Sequence, residues 1–217
     1  MLFDPNFIAR LIPALIEGAE VTVELAVLTF GICLVWGFIV ALANSSHGPL
    51  AWIAGGYIQA VRNTPLLIQM YIVYFGFSMI GFGLSGFGSG LLALCIQNGG
   101  YMAEIYRGGL QSVSQRQYEA GRALGMRRLA LYRIVIIPQV VARIIPPMTN
   151  QAISIIKDTS QVAAIAVMDV MKVAQVWVES SANTYDVFLG VAIIYLVLTS
   201  VATLIGRLFE RRLAFAS

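Results

Sequence analysis

Residues 117–138 read QYEAGRALGMRRLALYRIVIIP. This is the longest polar, basic interval in the chain, and apolar runs flank it on both sides. Its first half carries Glu119, Arg122, Arg127 and Arg128 among good helix formers, with glycines at Gly121 and Gly125, and the interval closes at Pro138. Helix formers punctuated by glycine and ended by proline describe local helix and turn. A polar interval of this kind is a loop between membrane spans with a structure of its own, and a structured loop presents a surface to a partner.

The remaining composition supports the membrane reading. Of 217 residues, 59% are hydrophobic and 12% charged. That is half the roughly 25% charge of an average soluble domain, and mean hydropathy is +0.80. A soluble fold of this length would lack polar surface. The chain is therefore expected to be one all-α integral-membrane domain over residues 1–217, with room for four to six helices at about 20 residues per span. Cys33 and Cys95 lie in apolar runs and read as small buried hydrophobes. His47 sits in the loop-like stretch Asn44–Pro49, and no metal-ligand spacing exists.

Five spans are expected, at 21–43, 53–80, 88–109, 146–168 and 188–208, with a coupling loop at 112–138. Residues 1–12 read as a short interfacial segment anchored by Phe3, Phe7, Ile8, Leu11 and Ile12. No basic n-region or small-x-small cleavage site marks the start, so the first apolar run is read as a retained span. Glu17, Glu20 and Glu24 share a helix face. Glu24, the deepest, is either an acid favoured near a helix N-terminus or part of an aqueous entry. Arg62-Asn63-Thr64-Pro65 interrupts the second span, where Pro65 removes a backbone donor and should kink the helix. In the fourth, Pro146-Pro147 suits a first helical turn better than a helix middle. The span is therefore expected to begin there, with 135–145 as a short surface helix and Lys157-Asp158 near mid-membrane. Residues 170–186 read as a non-spanning helix and loop on the outer side.

Arg107, Arg116, Arg122, Arg127, Arg128, Arg133, Arg207, Arg211 and Arg212 fall on one set of connections, and only Arg10 and Lys172 on the other. The positive-inside rule makes the first set cytoplasmic. Five spans then put the N-terminus outside and the C-terminus inside.

The loop residues Tyr118-Glu119-Ala120-Gly121, Leu124-Gly125 and Ile137-Pro138 resemble the "EAA" loop of bacterial ATP-binding-cassette importer permeases. Gly121 stands at the third position of Glu-Ala-Ala, Ile137 replaces the usual Leu, and Arg116 stands where the family usually has Gly. Gly in that helix costs about 1 kcal/mol relative to Ala. Three further stretches resemble the polar amino-acid branch: Arg62–Leu67, Asn98–Gly109, and Pro147–Gln151 with Ile156–Ser160. The resemblance implies a type I importer transmembrane domain in a bacterial inner membrane. Its partners would be a second permease subunit, a cytoplasmic ATPase dimer and an extracytoplasmic amino-acid-binding protein, within membrane lipid and without nucleic acid. It implies no catalytic residue and no cofactor or metal in this chain, with ATP and magnesium on the partner ATPase. The sequence itself contains no G-x-x-x-x-G-K-[S/T] phosphate loop.

On this resemblance the coupling residues are Tyr118, Glu119, Ala120, Gly121, Leu124, Gly125 and Arg127, with Ala123 completing a small-residue face. A local Glu119–Arg122 pair is the structural alternative. The substrate path draws on polar residues with no other reason to be in membrane: Asn98, Glu104, Asn150, Lys157, Asp158, Thr159 and Ser160, with Asn63 and Thr64 at the kink. A zwitterion needs an acceptor and a donor, which Asp158 and Lys157 supply. A structural Lys157–Asp158 pair and a Glu104–Arg107 pair are the alternatives. A secondary, ion-coupled carrier would show repeated broken helices, and one broken region is visible. A channel-like subunit would have little use for a large structured loop.

Overall fold

The computed structural model describes residues 4–214, and Phe3 lies outside the described residues. Among the described residues eight helices follow one another: α1 (Pro5–Asn44), α2 (Pro49–Arg62), α3 (Leu66–Met79), α4 (Gly86–Gln111), α5 (Gln115–Ala123), α6 (Arg128–Ile165), α7 (Val170–Ser181) and α8 (Thr184–Ala214). α1, α6 and α8 are each long and apolar enough to cross a membrane. α4 has the length of a span but carries polar residues at its middle, and α2 and the shorter apolar α3 are separated by a break at Asn63–Pro65.

α1 begins earlier than expected. The Asp4 side chain accepts from the Asn6 N–H at 2.9 Å and Pro5 takes the first turn, a stable helix start. The expected interfacial segment is thus the first part of a 40-residue helix. Two of its anchors meet protein: Leu11, with Leu15, is buried against Val170, Val173 and Val187 of α7 and α8, and Phe7 sits edge-on to Trp177 at 5.6 Å, while Ile12 is exposed.

The fourth span also differs from expectation. Pro146 and Pro147 lie inside the continuous helix α6, and residues 135–145 belong to that helix. Proline fixes φ near a helical value, so its cost is the missing N–H and a clash with the preceding turn. Membrane helices tolerate that cost where neighbours accommodate it. Here the carbonyls left without those donors belong to Ala142 and Arg143, and Arg143 and both prolines are exposed. α6 departs from ideal geometry at two other places, a π turn over Tyr132–Ile136 and a 3₁₀ end over Thr159–Ile165.

The bundle is organised on α1 and α4, which pack along most of their length. A Cβ at Gly37 of α1 would lie 2.6 Å from the Met102 side chain, so that contact requires glycine. Trp36 Nε1 donates to the Tyr57 hydroxyl at 2.9 Å, and that hydroxyl donates to Ile96 O at 2.5 Å, joining α1, α2 and α4. α6 packs against α4 and α8, and α7 lies across α1 and α8.

The break between α2 and α3 is sealed from within. Asn63 Nδ2 donates to Gln59 O at 2.8 Å and Thr64 Oγ1 to Ala60 O at 2.8 Å. Gln69 Nε2 reaches back to Val61 O at 2.9 Å and Thr64 O at 3.0 Å. The carbonyls freed by Pro65 thereby gain donors, as a broken helix in lipid requires.

Candidate coupling element and polar path

α5 forms a hairpin with the start of α6. Its turn needs Gly125, which has φ +72° and donates to Arg122 O at 2.9 Å. Gly121 is buried against Leu131, and a Cβ there would collide with that side chain. Tyr118 is half-buried, edge-on to Tyr132 at 5.9 Å, in one cluster with Val113, Leu131 and Ile136. Burial and the Tyr132 ring push the Tyr118 hydroxyl above its ordinary pKa. Arg143 donates to Ser112 O, tying the end of α4 to α6.

The expected coupling residues therefore divide. Tyr118 and Gly121 face inward and hold the hairpin. Glu119, Ala120, Ala123, Leu124, Gly125 and Arg127 are exposed, with Leu124 81% exposed. Both ion pairs among the described residues involve Glu104, so no Glu119–Arg122 pair is present among them. The result is a braced hairpin with an apolar tip and an uncommitted carboxylate.

The polar residues of the spans also divide. Asn98 is fully buried, with Nδ2 donating to Leu94 O at 3.0 Å. Gln151 Nε2 donates to Asn98 Oδ1 at 2.6 Å, and Asp158 is half-buried further along α6. Gln151, which belongs to the Pro147–Gln151 stretch but not to the expected path residues, thus joins α4 to α6, and its seven-residue spacing from Asp158 puts the two on one helix face. Glu104 takes Arg107 Nε at 2.9 Å and Nη2 at 2.7 Å, and Arg62 Nη1 at 3.3 Å. Arg62 also stacks 5.3 Å over Tyr101, so Glu104 joins α2 to α4 as well as pairing with Arg107.

Thr159 is buried with its hydroxyl on Ile156 O at 2.8 Å, and the Ser160 hydroxyl bonds Lys157 O at 2.7 Å. Asn63 and Thr64 spend their donors on the helix break. Asn150, Ser154 and Lys157 remain exposed on one face of α6, an open polar stripe that Ser154 completes. Lys157 forms no ion pair with Asp158 among the described residues.

Comparisons with known proteins show the family. Residues 33–215 match the family described as "Binding-protein-dependent transport system inner membrane component". The glutamine transport system permease protein GlnP of Escherichia coli (strain K12) is 35% identical over 219 residues, covering 98% of this chain and 99% of GlnP. The L-cystine transport system permease protein TcyB of Bacillus subtilis (strain 168) is 35% identical over 206 residues, covering 93% of this chain and 87% of TcyB. A crystal structure of an amino acid ABC transporter with histidines superposes with TM-score 0.91 at 33% identity, covering 98% of this chain and 100% of that one. The MetNI methionine ABC transporter, at 16% identity and TM-score 0.75 over 92% of this chain and 96% of its own, shares the fold. The chain belongs to the binding-protein-dependent inner membrane components, as an amino-acid ABC transporter permease with the type I importer fold.

Proposed function

We propose that this permease forms the translocation path of an ATP-driven amino-acid importer and receives its drive at the α5 hairpin from a separate cytoplasmic ATPase. The observation that carries the reading is the hairpin's construction. Tyr118, Gly121 and Leu131 brace it against the spans, while Glu119, Ala120, Ala123 and Leu124 present a small, apolar, singly charged face. A push on that face passes into α6 through the contacts at Leu131 and Tyr132. α6 also carries the stripe Asn150, Ser154 and Lys157, so one element holds both the input and the path.

The distribution of arginines supports an outside N-terminus and a cytoplasmic hairpin and C-terminus. The ends of α4, α5 and α8 and the start of α6 carry the arginine-rich set, whereas Arg10 and Lys172 lie at the opposite end with α7. In this orientation Asn98, Gln151 and Asp158 sit deep in the bundle. Lys157 offers the positive charge that a substrate carboxylate needs, and Asp158 the negative charge that its ammonium group needs. A second permease chain would close the open stripe, and an extracytoplasmic binding protein would deliver substrate to it.

The test is uptake by vesicles containing the permease, its ATPase and its binding protein. ATP-dependent amino-acid uptake is the expected result, and uptake following a proton or sodium gradient without nucleotide would overturn the reading. Lys157→Ala is expected to lower uptake several-fold while ATPase co-purification stays unchanged. Undiminished uptake would return Lys157 to a structural role.

A further inference from the structure

α2 and α3 pack into different clusters. Ala54 and Ile58 of α2 are buried with Val40, Ala41 and Ala103, toward the hairpin end of the bundle. Leu66, Met70 and Val73 of α3 are buried with Leu94, Val162 and Ile165, toward the other end. Between them, at Asn63–Pro65, side-chain bonds from Asn63, Thr64 and Gln69 take the place of the backbone ladder. Such bonds follow a change of angle that a continuous ladder resists, and a few residues at the ends of elements are what a hinge needs. α4 has a weak point at the same level. Gly99 and Gly100 lie mid-helix, Gly100 directly against Val61, and glycine is a poor helix former.

One ion pair is placed to hold that angle. Arg62 is the last residue of α2, and its Nη1 lies 3.3 Å from Glu104 Oε2. Arg107 holds the same carboxylate through two bonds, at 2.9 and 2.7 Å. The Arg62 contact is the longer and the single one. Its release leaves Glu104 paired with Arg107 and leaves Arg62 the Tyr101 ring. Arg62 and Glu104 are both partly exposed, so the exchange strands no buried charge. Beyond Glu104, α4 is fixed to the hairpin. Arg143 donates to Ser112 O, a Cβ at Gly109 would collide with Ile144, and Val113 is buried with Leu131 and Ile136. A push on the hairpin therefore reaches the end of α2 through α4, besides passing into α6.

We propose that Arg62 and Glu104 form a releasable latch on the angle between α2 and α3, closed in this conformation and opened when the hairpin is driven, with Asn63–Pro65 as the hinge. Arg62 is a positioning residue, acting through the backbone of the break and not on the substrate. The latch rests on the coupling role proposed above for the hairpin.

Distances between spin labels in the permease–ATPase complex test it, with labelled permease diluted so that signals within one chain dominate. Labels enter at Trp52→Cys on α2, Met79→Cys on α3 and Leu129→Cys beside the hairpin, all exposed side chains, while Cys33 and Cys95 are buried. Trapping the ATPase with ATP and vanadate is expected to shift the Trp52–Met79 distance by several Å. Arg62→Gln should populate the shifted distance without nucleotide, several-fold over the parent, and Arg62→Lys, which keeps the charge, should stay with the parent. A Trp52–Met79 distance that ignores trapped nucleotide while Met79–Leu129 responds would overturn the latch alone. So would a nucleotide response identical in Arg62→Gln and the parent. If neither distance responds, the coupling reading falls and the latch with it.

Discussion

The α5 hairpin and the polar centre of the bundle use charge and amide groups in opposite ways. On the hairpin, Glu119, Arg122 and Arg127 are exposed and form no ion pair among the described residues. Around α4, Asn98 engages Gln151, and Glu104 engages two arginines. Water solvates the first set until a partner arrives. Asn98 is fully buried, where an unpaired group costs about 1–3 kcal/mol, while Glu104 and its two arginines are partly exposed and hold α2 to α4. The difference teaches that polar residues in this chain fall into two kinds: those that hold helices together and those left free for another molecule. The stripe Asn150, Ser154 and Lys157 belongs with the hairpin in this respect, although it lies in a span.

The sharpest way to break the contrast is to remove the hairpin's brace. Gly121→Leu places a branched side chain against Leu131, which is 2% exposed. Overpacking of this kind costs about 1–3 kcal/mol. Coupled uptake and ATPase co-purification should fall at least tenfold, with a lower thermal midpoint. Gly121→Ala sets a smaller clash against about 1 kcal/mol of gained helix propensity and should change stability little. An intact complex with Gly121→Leu would show that the brace does not position the docking face.

Glu119→Lys alters the face and leaves the brace untouched. The exposed side chain should be replaceable without loss of stability, while ATP hydrolysis becomes uncoupled from uptake by about tenfold. Coupling that survives the reversal of charge would take the docking role away from Glu119. In the bundle the converse holds. Asn98→Leu strands Gln151, so its effect should appear first as a loss of stability. Membrane hydrogen bonds average below 1 kcal/mol, with larger single cases. A midpoint shift of a few degrees is expected, with ATPase co-purification unchanged. A stable Asn98→Leu protein with no uptake would move Asn98 from the structural set to the path.

The long apolar helices and the hairpin were legible because apolar runs, glycine turns and a basic interval are local signals. The helix that holds Pro146 and Pro147 starts earlier than expected, since the rule against mid-helix proline weakens where neighbours and a fixed φ carry the helix through. Which face of α5 points inward was not legible, because it depends on Leu131 and Tyr132 beyond the turn. The Asn98–Gln151 bond joins residues 53 apart, and no local pattern announces it. Residues that seal a break, such as Gln69, look like any polar residue in a span until the freed carbonyls are located.

The smallest expected effect concerns a buried acid outside both regions. Asp169 caps α7, accepting from the Lys172 N–H at 2.9 Å, and the Tyr195 hydroxyl donates to it at 3.5 Å. Burial pushes its carboxyl from 3.8 up to about 6, against the pull of the Lys172 and Met171 N–H groups. A carboxyl whose pKa is raised on folding favours the fold while protonated. Its contribution is full below about pH 4 and is lost as pH rises through about 6. Asp169→Asn keeps a capping oxygen and cannot ionise. Thermal unfolding in detergent at pH 4.5 and 8 should therefore show the parent losing, relative to Asp169→Asn, on the order of a few degrees at the higher pH. Parallel midpoints at the two pH values would mean that Asp169 is solvated, and that the capping site at the start of α7 is open to water rather than closed over its acid.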